Sequence, residues 1–239
     1  MVNKTKDLLR MSKSEAKAEV EEAINKILEA VNNKLTDNEK RKQMYELILE
    51  DLKKSNERLW FNTSLRMGGI YMETNDMKNL NDMLLLLKTA CKKADAASDD
   101  LLDVDVYDMS KGNHLLEVFA LEIQMCIKTK ETRRMKQIYN LTQKFSTIIE
   151  DPRIMGIIKE CGGKMYMSEK RWDAALDEFN ANFKSLVESG NSRAQTMLKY
   201  VILASILSQT EVDHLSTNEA KIYSQDNEII GMTSLKSAV

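Results

Sequence analysis

The residues best suited to chemistry sit together in the run Cys161-Gly162-Gly163-Lys164. A cysteine beside a glycine pair and a lysine suggests either a nucleophile or a phosphate cradle. A phosphate-binding P-loop needs GxxxxGK followed by Ser or Thr, entered from a strand, so that loop amides surround the phosphate. Here Met165 follows Lys164, the upstream spacing fails, and no strand signal precedes. A cysteine nucleophile needs a base to form the thiolate. The two histidines, His114 and His214, are far off in sequence and carry no motif. Three cysteines, Cys91, Cys126 and Cys161, lie 35 residues apart in each case, without CxxC pairing. That pattern gives no zinc set and no disulfide framework, and fits reduced thiols. The aspartates at 95, 99, 100, 103, 105 and 108 lack the glycine and terminal glutamate of a calcium loop. The expectation is no catalytic residue, no metal and no cofactor, with Cys161 a small buried residue.

The elements that hold these residues read as helices. The chain has 239 residues, 43% hydrophobic and 30% charged, with one proline and eight glycines. Such a balance fits a folded chain rich in helix formers. The net charge of −2 gives no bulk affinity for nucleic acid. No apolar run reaches the roughly 18 residues of a membrane span, and residues 1–17 lack the apolar core of a signal peptide. The expectation is a soluble intracellular protein.

Capping-box spacings at Ser12/Glu15, Thr36/Glu39 and Ser216/Glu219 mark helix starts. Asn75 or Asp76 opens another helix, and Ser189-Gly190 closes one. Asp151-Pro152 gives a cap followed by the one position where proline costs a helix nothing. Helices are expected over about 56–73, 76–93, 112–129, 131–148, 152–167, 169–188 and 191–208. Between them, residues 94–110 read as an exposed acidic loop.

A repeat underlies this order. Shifting the chain by 40 residues places Gly163, Tyr166, Ala175 and Phe179 on Ile123, Cys126, Met135 and Tyr139. A further shift of 55 reaches Gly68, Tyr71, Leu80 and Leu84, so Gly-x-x-Tyr recurs at 68–71 and 163–166. The offsets from that glycine to Ala175 and Phe179 match the tetratricopeptide pattern of two antiparallel helices. The fold class predicted is all-α, a right-handed superhelical solenoid of antiparallel, tetratricopeptide-like helix pairs. One array spans residues 1–239. Gly68, Tyr71, Gly163, Tyr166, Ala175 and Phe179 are its packing residues. One cluster of charge stands out, Lys128, Lys130, Arg133, Arg134 and Lys136, opposed only by Glu131. It is either a solvated turn or a docking patch for an acidic partner surface.

Several stretches are more specific than a generic repeat: NERLWF at 56–61, LLEVFALEIQM at 115–125, DPRIMGIIKECGGKMYM at 151–167 and LKYVILASIL at 198–207. From about residue 20 onward the chain resembles the COP9 signalosome subunit 2 family. The last two stretches also stand in the places expected of its paralogue, the PCI subunit of the proteasome lid, but IMGIIKECGGKM and ALEIQM favour the signalosome member. The resemblance implies a non-enzymatic scaffold in cytoplasm and nucleus, partnered by other signalosome subunits. It implies a part in recognising cullin–RING ubiquitin ligases, from which the complex removes Nedd8. The isopeptidase of that family resides in a different, metal-binding subunit. The C-terminal part of this chain is expected to lead toward a PCI domain that it does not include. An independent adaptor that grips peptide tails with Lys, Arg and Asn remains the alternative.

Overall fold

A computed structural model describes residues 17–34, 37–94, 96, 98, 100–146, 151–210 and 216–238. The signals at Ser12/Glu15, Thr36, Asp95, Asp99 and His214 lie outside those residues. The chain folds as two compact units, residues 1–96 and 97–239. The described residues of both are built from helices packed in antiparallel pairs.

The first unit holds α1 (Lys17–Lys34), α2 (Asn38–Ser55), α3 (Glu57–Glu73) and α4 (Met77–Ala90). Short polar side chains fix where these helices begin. Asp37, Asn56 and Asp76 each accept a backbone N–H from the first turn, at 3.0, 3.0 and 3.4 Å. Such caps satisfy donors that the helix cannot, and each contributes about 1 kcal/mol. Ile24, Leu28, Tyr45, Ile48, Leu59, Met67, Leu80 and Leu84 fill the interior.

The second unit holds α5 (Gly112–Thr129), α6 (Thr132–Ser146), α7 (Pro152–Ser168), α8 (Trp172–Glu188), α9 (Ala194–Leu207), α10 (Asn218–Lys221) and α11 (Asn227–Ala238). Asp151 caps α7 through the amides of Arg153 (3.0 Å) and Ile154 (3.3 Å), with Pro152 in the first turn. The cap of α10 is Thr217, one residue later than the Ser216 signal, accepting from the Ala220 amide at 3.3 Å. Ahead of α5, the acidic segment is less exposed than its composition implies. Asp103 and Asp108 cap two short 3-10 turns, Val104–Val106 and Met109–Lys111. Between them Tyr107 is fully buried, edge-on to Phe119 and Phe145 at 5.8 and 6.2 Å. Its hydroxyl donates to the Leu101 carbonyl at 2.7 Å. Aspartates at such caps face water while the apolar residues between them turn inward.

The repeat is visible in both units. Of the twelve aligned positions, eleven are buried and Tyr166 is half-buried. Each pair turns through one left-handed residue placed four after the marker. These are Asn75 (φ 59°), Lys130 (φ 61°) and Lys170 (φ 59°). In each turn the next N–H reaches back to the marker's carbonyl, Tyr71, Cys126 or Tyr166, at 2.9 Å. This is the Schellman closure, which satisfies a carbonyl the helix leaves open. A cation also covers both marker tyrosines, Lys42 over Tyr71 at 5.7 Å and Arg171 over Tyr166 at 4.7 Å.

The glycine pair sets the packing of α7. A Cβ on Gly162 would stand 2.3 Å from the Tyr139 ring of α6. A Cβ on Gly163 would stand 2.3 Å from the Phe179 ring of α8. Gly163→Leu should therefore destabilise the protein by about 1–3 kcal/mol through overpacking. By contrast, Gly69→Ala, with nothing within 4 Å of the added carbon, should stabilise α3 by up to about 1 kcal/mol. Urea unfolding of both variants checks the pair of signs, and an unchanged midpoint for Gly163→Leu would refute the contact.

Candidate functional site

Of the residues that could do chemistry, Cys161 is 5% exposed. Burial, and then the neighbouring charge of Glu160, push its thiol up to about 12. It stays protonated at neutral pH, where a nucleophile would need to be a thiolate. Lys164 serves the fold instead. Its Nζ pairs with Glu160 at 2.7 Å and lies over the Tyr200 ring at 5.0 Å. Among the described residues, no three of His, Cys, Asp and Glu are grouped as a metal would require. No described helix is long and apolar enough to cross a membrane.

The basic cluster occupies the turn between α5 and α6, and the structure divides it in two. Arg134 reaches back to α5, where its Nε and Nη2 donate to Glu122 Oε1 at 3.1 and 2.6 Å. The Glu122 side chain is 1% exposed, so this ion pair lies largely inside the protein. Burial works against the charge of Arg134, but the Glu122 carboxylate more than offsets it and holds the guanidinium ionised. Lys136 is tied to Glu169 at 3.0 and 3.2 Å, at the end of α7. These two cations brace neighbouring helices. Lys128, Lys130 and Arg133 are exposed on the outside of the turn, where Lys130 takes the left-handed conformation. They form the part of the cluster that can meet an acidic surface. The partners of Arg134 and Lys136 lie 12 and 33 residues away in sequence. The repeat offset is the one signal that could have suggested the first.

The packing residues fall in two places. Gly68 and Tyr71 lie buried in α3 of the first unit. Gly163, Tyr166, Ala175 and Phe179 come together in the second, where α7 meets α8 and the Phe179 ring stacks on Tyr200 at 5.1 Å.

The fold and the turn geometry define a tetratricopeptide-like helical-repeat protein. No protein-family model matches the chain. Its sequence is 35% identical to COP9 signalosome complex subunit 2 of Dictyostelium discoideum over 241 aligned residues, covering 100% of this chain and 52% of that protein. The Drosophila melanogaster protein of the same name is 36% identical over 220 residues, 90% of this chain and 46% of the relative. The one from Schizosaccharomyces pombe is 43% identical over 133 residues, 56% and 30%. By sequence the chain belongs to the COP9 signalosome subunit 2 family. It spans about half the length of the first of these relatives, and less of the others.

Removing Arg134 should leave the Glu122 carboxylate buried without its principal counter-charge. Arg134→Ala is expected to cost about 1.5–3 kcal/mol, the usual scale for hydrogen bonds to a charged group. Arg133→Ala should stay within about 0.5 kcal/mol, as exposed substitutions do. Equal effects of the two on urea unfolding would contradict this division of the cluster.

Proposed function

We propose that the protein acts as a scaffold subunit of the COP9 signalosome, in cytoplasm and nucleus, without catalysis of its own. Its repeats contribute to recognising cullin–RING ubiquitin ligases for removal of Nedd8. The observation that carries this reading is sequence similarity over 90–100% of the chain to proteins bearing the subunit's name. The fold class agrees with it, because stacked helix pairs expose long surfaces and turns suited to partner binding. The inertness of Cys161 and the use of Lys164 as a packing residue agree with a binding role. In this reading Lys128, Lys130 and Arg133 supply a basic contact for an acidic partner surface, while Arg134 and Lys136 keep the turn in place.

The tagged protein, extended to the length of its relatives, should co-purify signalosome subunits and capture a purified cullin–RING complex. Recovery of proteasome-lid subunits in their place would assign it to the paralogue. Charge reversal at Lys130 and Arg133 should weaken ligase capture, increasingly so at low salt, since exposed charges act over about 10 Å at 0.1 M ionic strength. The melting temperature should not fall. Undiminished capture would return these residues to the role of a solvated turn.

A further inference from the structure

The second unit contains a cleft of about 180 Å³ between α7, α8 and the turn before α9. Arg153, Ile157 and Glu160 line it from one face of α7, spaced four and three residues apart. Asn182 and Leu186 line it from α8, one helical turn apart, and Arg193 closes the end.

Three features of this cleft point to a ligand. The first is Asn182, only 1% exposed. Its Nδ2 donates to the Gly156 carbonyl at 2.8 Å, which fixes the orientation of the amide. Its Oδ1 has no hydrogen-bond partner among the described residues. Buried polar atoms are nearly always paired, so an unpaired acceptor lining a cleft calls for a donor. Gly156 contributes here too, since a Cβ would stand 3.1 Å from that oxygen. The second feature is charge at the rim. The Arg153 side chain is 77% exposed, with Asp151 Oδ2 3.7 Å from its Nη2, and that of Arg193 is 56% exposed, so both guanidiniums reach solvent. Arg193 is anchored by Glu160 at 2.5 Å, which holds one edge of its planar fork and leaves other N–H groups to bind. The third is apolar wall, from the half-buried Ile157 and Leu186.

A ligand that fits must donate one hydrogen bond near Asn182 and carry negative charge at the rim, with carbon between. Acetate has the charge without a hydrogen-bond donor, and inorganic phosphate, whose O–H can donate, brings no carbon to lie against Ile157 and Leu186. A basic side chain has donors but meets two guanidiniums, and the carboxylate in the lining, Glu160, is already paired with Lys164 and Arg193. We propose that this cleft binds an aspartate or glutamate within a partner polypeptide. The backbone N–H of that residue donates to Asn182 Oδ1, and its side-chain carboxylate pairs with Arg153 and Arg193. This inference is independent of the signalosome assignment.

The test is a nuclear magnetic resonance titration of the isotope-labelled full chain with N-acetyl-L-aspartate methylamide and N-acetyl-L-glutamate methylamide. The expected result is a saturable shift of the Asn182 side-chain amide and of the Arg153 and Arg193 Nε–H signals. The matching asparagine and glutamine derivatives, and sodium acetate at equal ionic strength, should leave the Asn182 signal in place. Arg153→Gln, at an exposed position, should weaken the titration about two- to fivefold, the range for an exposed ion pair. Lys184→Gln, on α8 but outside the cleft, should not change it. Absence of a saturable shift, or the same response to acetate, would overturn the proposal. So would tighter binding of N-acetylalanine, whose acid is a chain terminus, since that would replace the side-chain carboxylate with a C-terminal one.

Discussion

Two adjacent glycines govern how the second unit packs. Successive residues of a helix point about 100° apart, so Gly162 and Gly163 bare two neighbouring faces of α7. Tyr139 of α6 takes one and Phe179 of α8 takes the other. The glycines cost the helix about 1 kcal/mol each relative to alanine. Full burial of a ring the size of Phe179 contributes about 1.5–3 kcal/mol, which offsets that cost. The polar tip of Tyr139 is satisfied as well, its hydroxyl 2.6 Å from Glu178 Oε1. With both sides of α7 occupied at this depth, Cys161 is sealed inside and Lys164 is left to Glu160 and Tyr200.

The same geometry explains why a run of cations need not be a patch. Arg133 and Arg134 are consecutive and so point to different sides of α6. One meets water and the other meets Glu122. A carboxylate as buried as Glu122 is tolerable only with a close partner, because desolvating a lone charge costs several kcal/mol. Glu160 follows the same rule with two partners, Lys164 and Arg193. Buried acids in this protein thus clamp cations that a composition count would assign to the surface.

Helix ends were the most legible part of the sequence, because Asp76, Asp151 and Gly190 act through local geometry alone. The cap of α2, though, is Asp37, one residue after the Thr36 signal, and Asn56 caps α3 with no such signal. The register of the pairs was legible too, since Gly-x-x-Tyr and the positions that follow it describe a close contact between helices. Lys130 and Lys170 were not, because nothing in a lysine announces positive φ. Closure of the turn forces that conformation against a cost of about 1–2 kcal/mol for a side-chain-bearing residue. Tyr107 was hidden by its neighbours, as aspartates that cap short turns resemble aspartates of an open loop. The ion pairs of Arg134 and Lys136 and the cleft at Asn182 depend on residues brought together by the fold. Local pattern carries no record of such distances.

This division bears on what the family relationship conveys. The stretch DPRIMGIIKECGGKMYM, one of those that carry the resemblance, buries Ile154, Ile158, Cys161 and Met165 while Arg153, Ile157 and Glu160 line the cleft. Gly162 and Gly163 admit no larger side chain without displacing an aromatic ring, so such a stretch records the helix register firmly. Lys128 and Arg133 face solvent, where the fold constrains the side chain little, and Lys130 is constrained only through its left-handed backbone. Kinship therefore speaks most strongly for the scaffold and least for the contacts it makes. What the scaffold holds must be argued from the surfaces themselves. The outer turn of α5 and α6 and the cleft around Asn182 are chemically distinct. One is an exposed set of cations suited to long-range attraction, and the other is a shaped recess with an unmet acceptor, suited to a single residue.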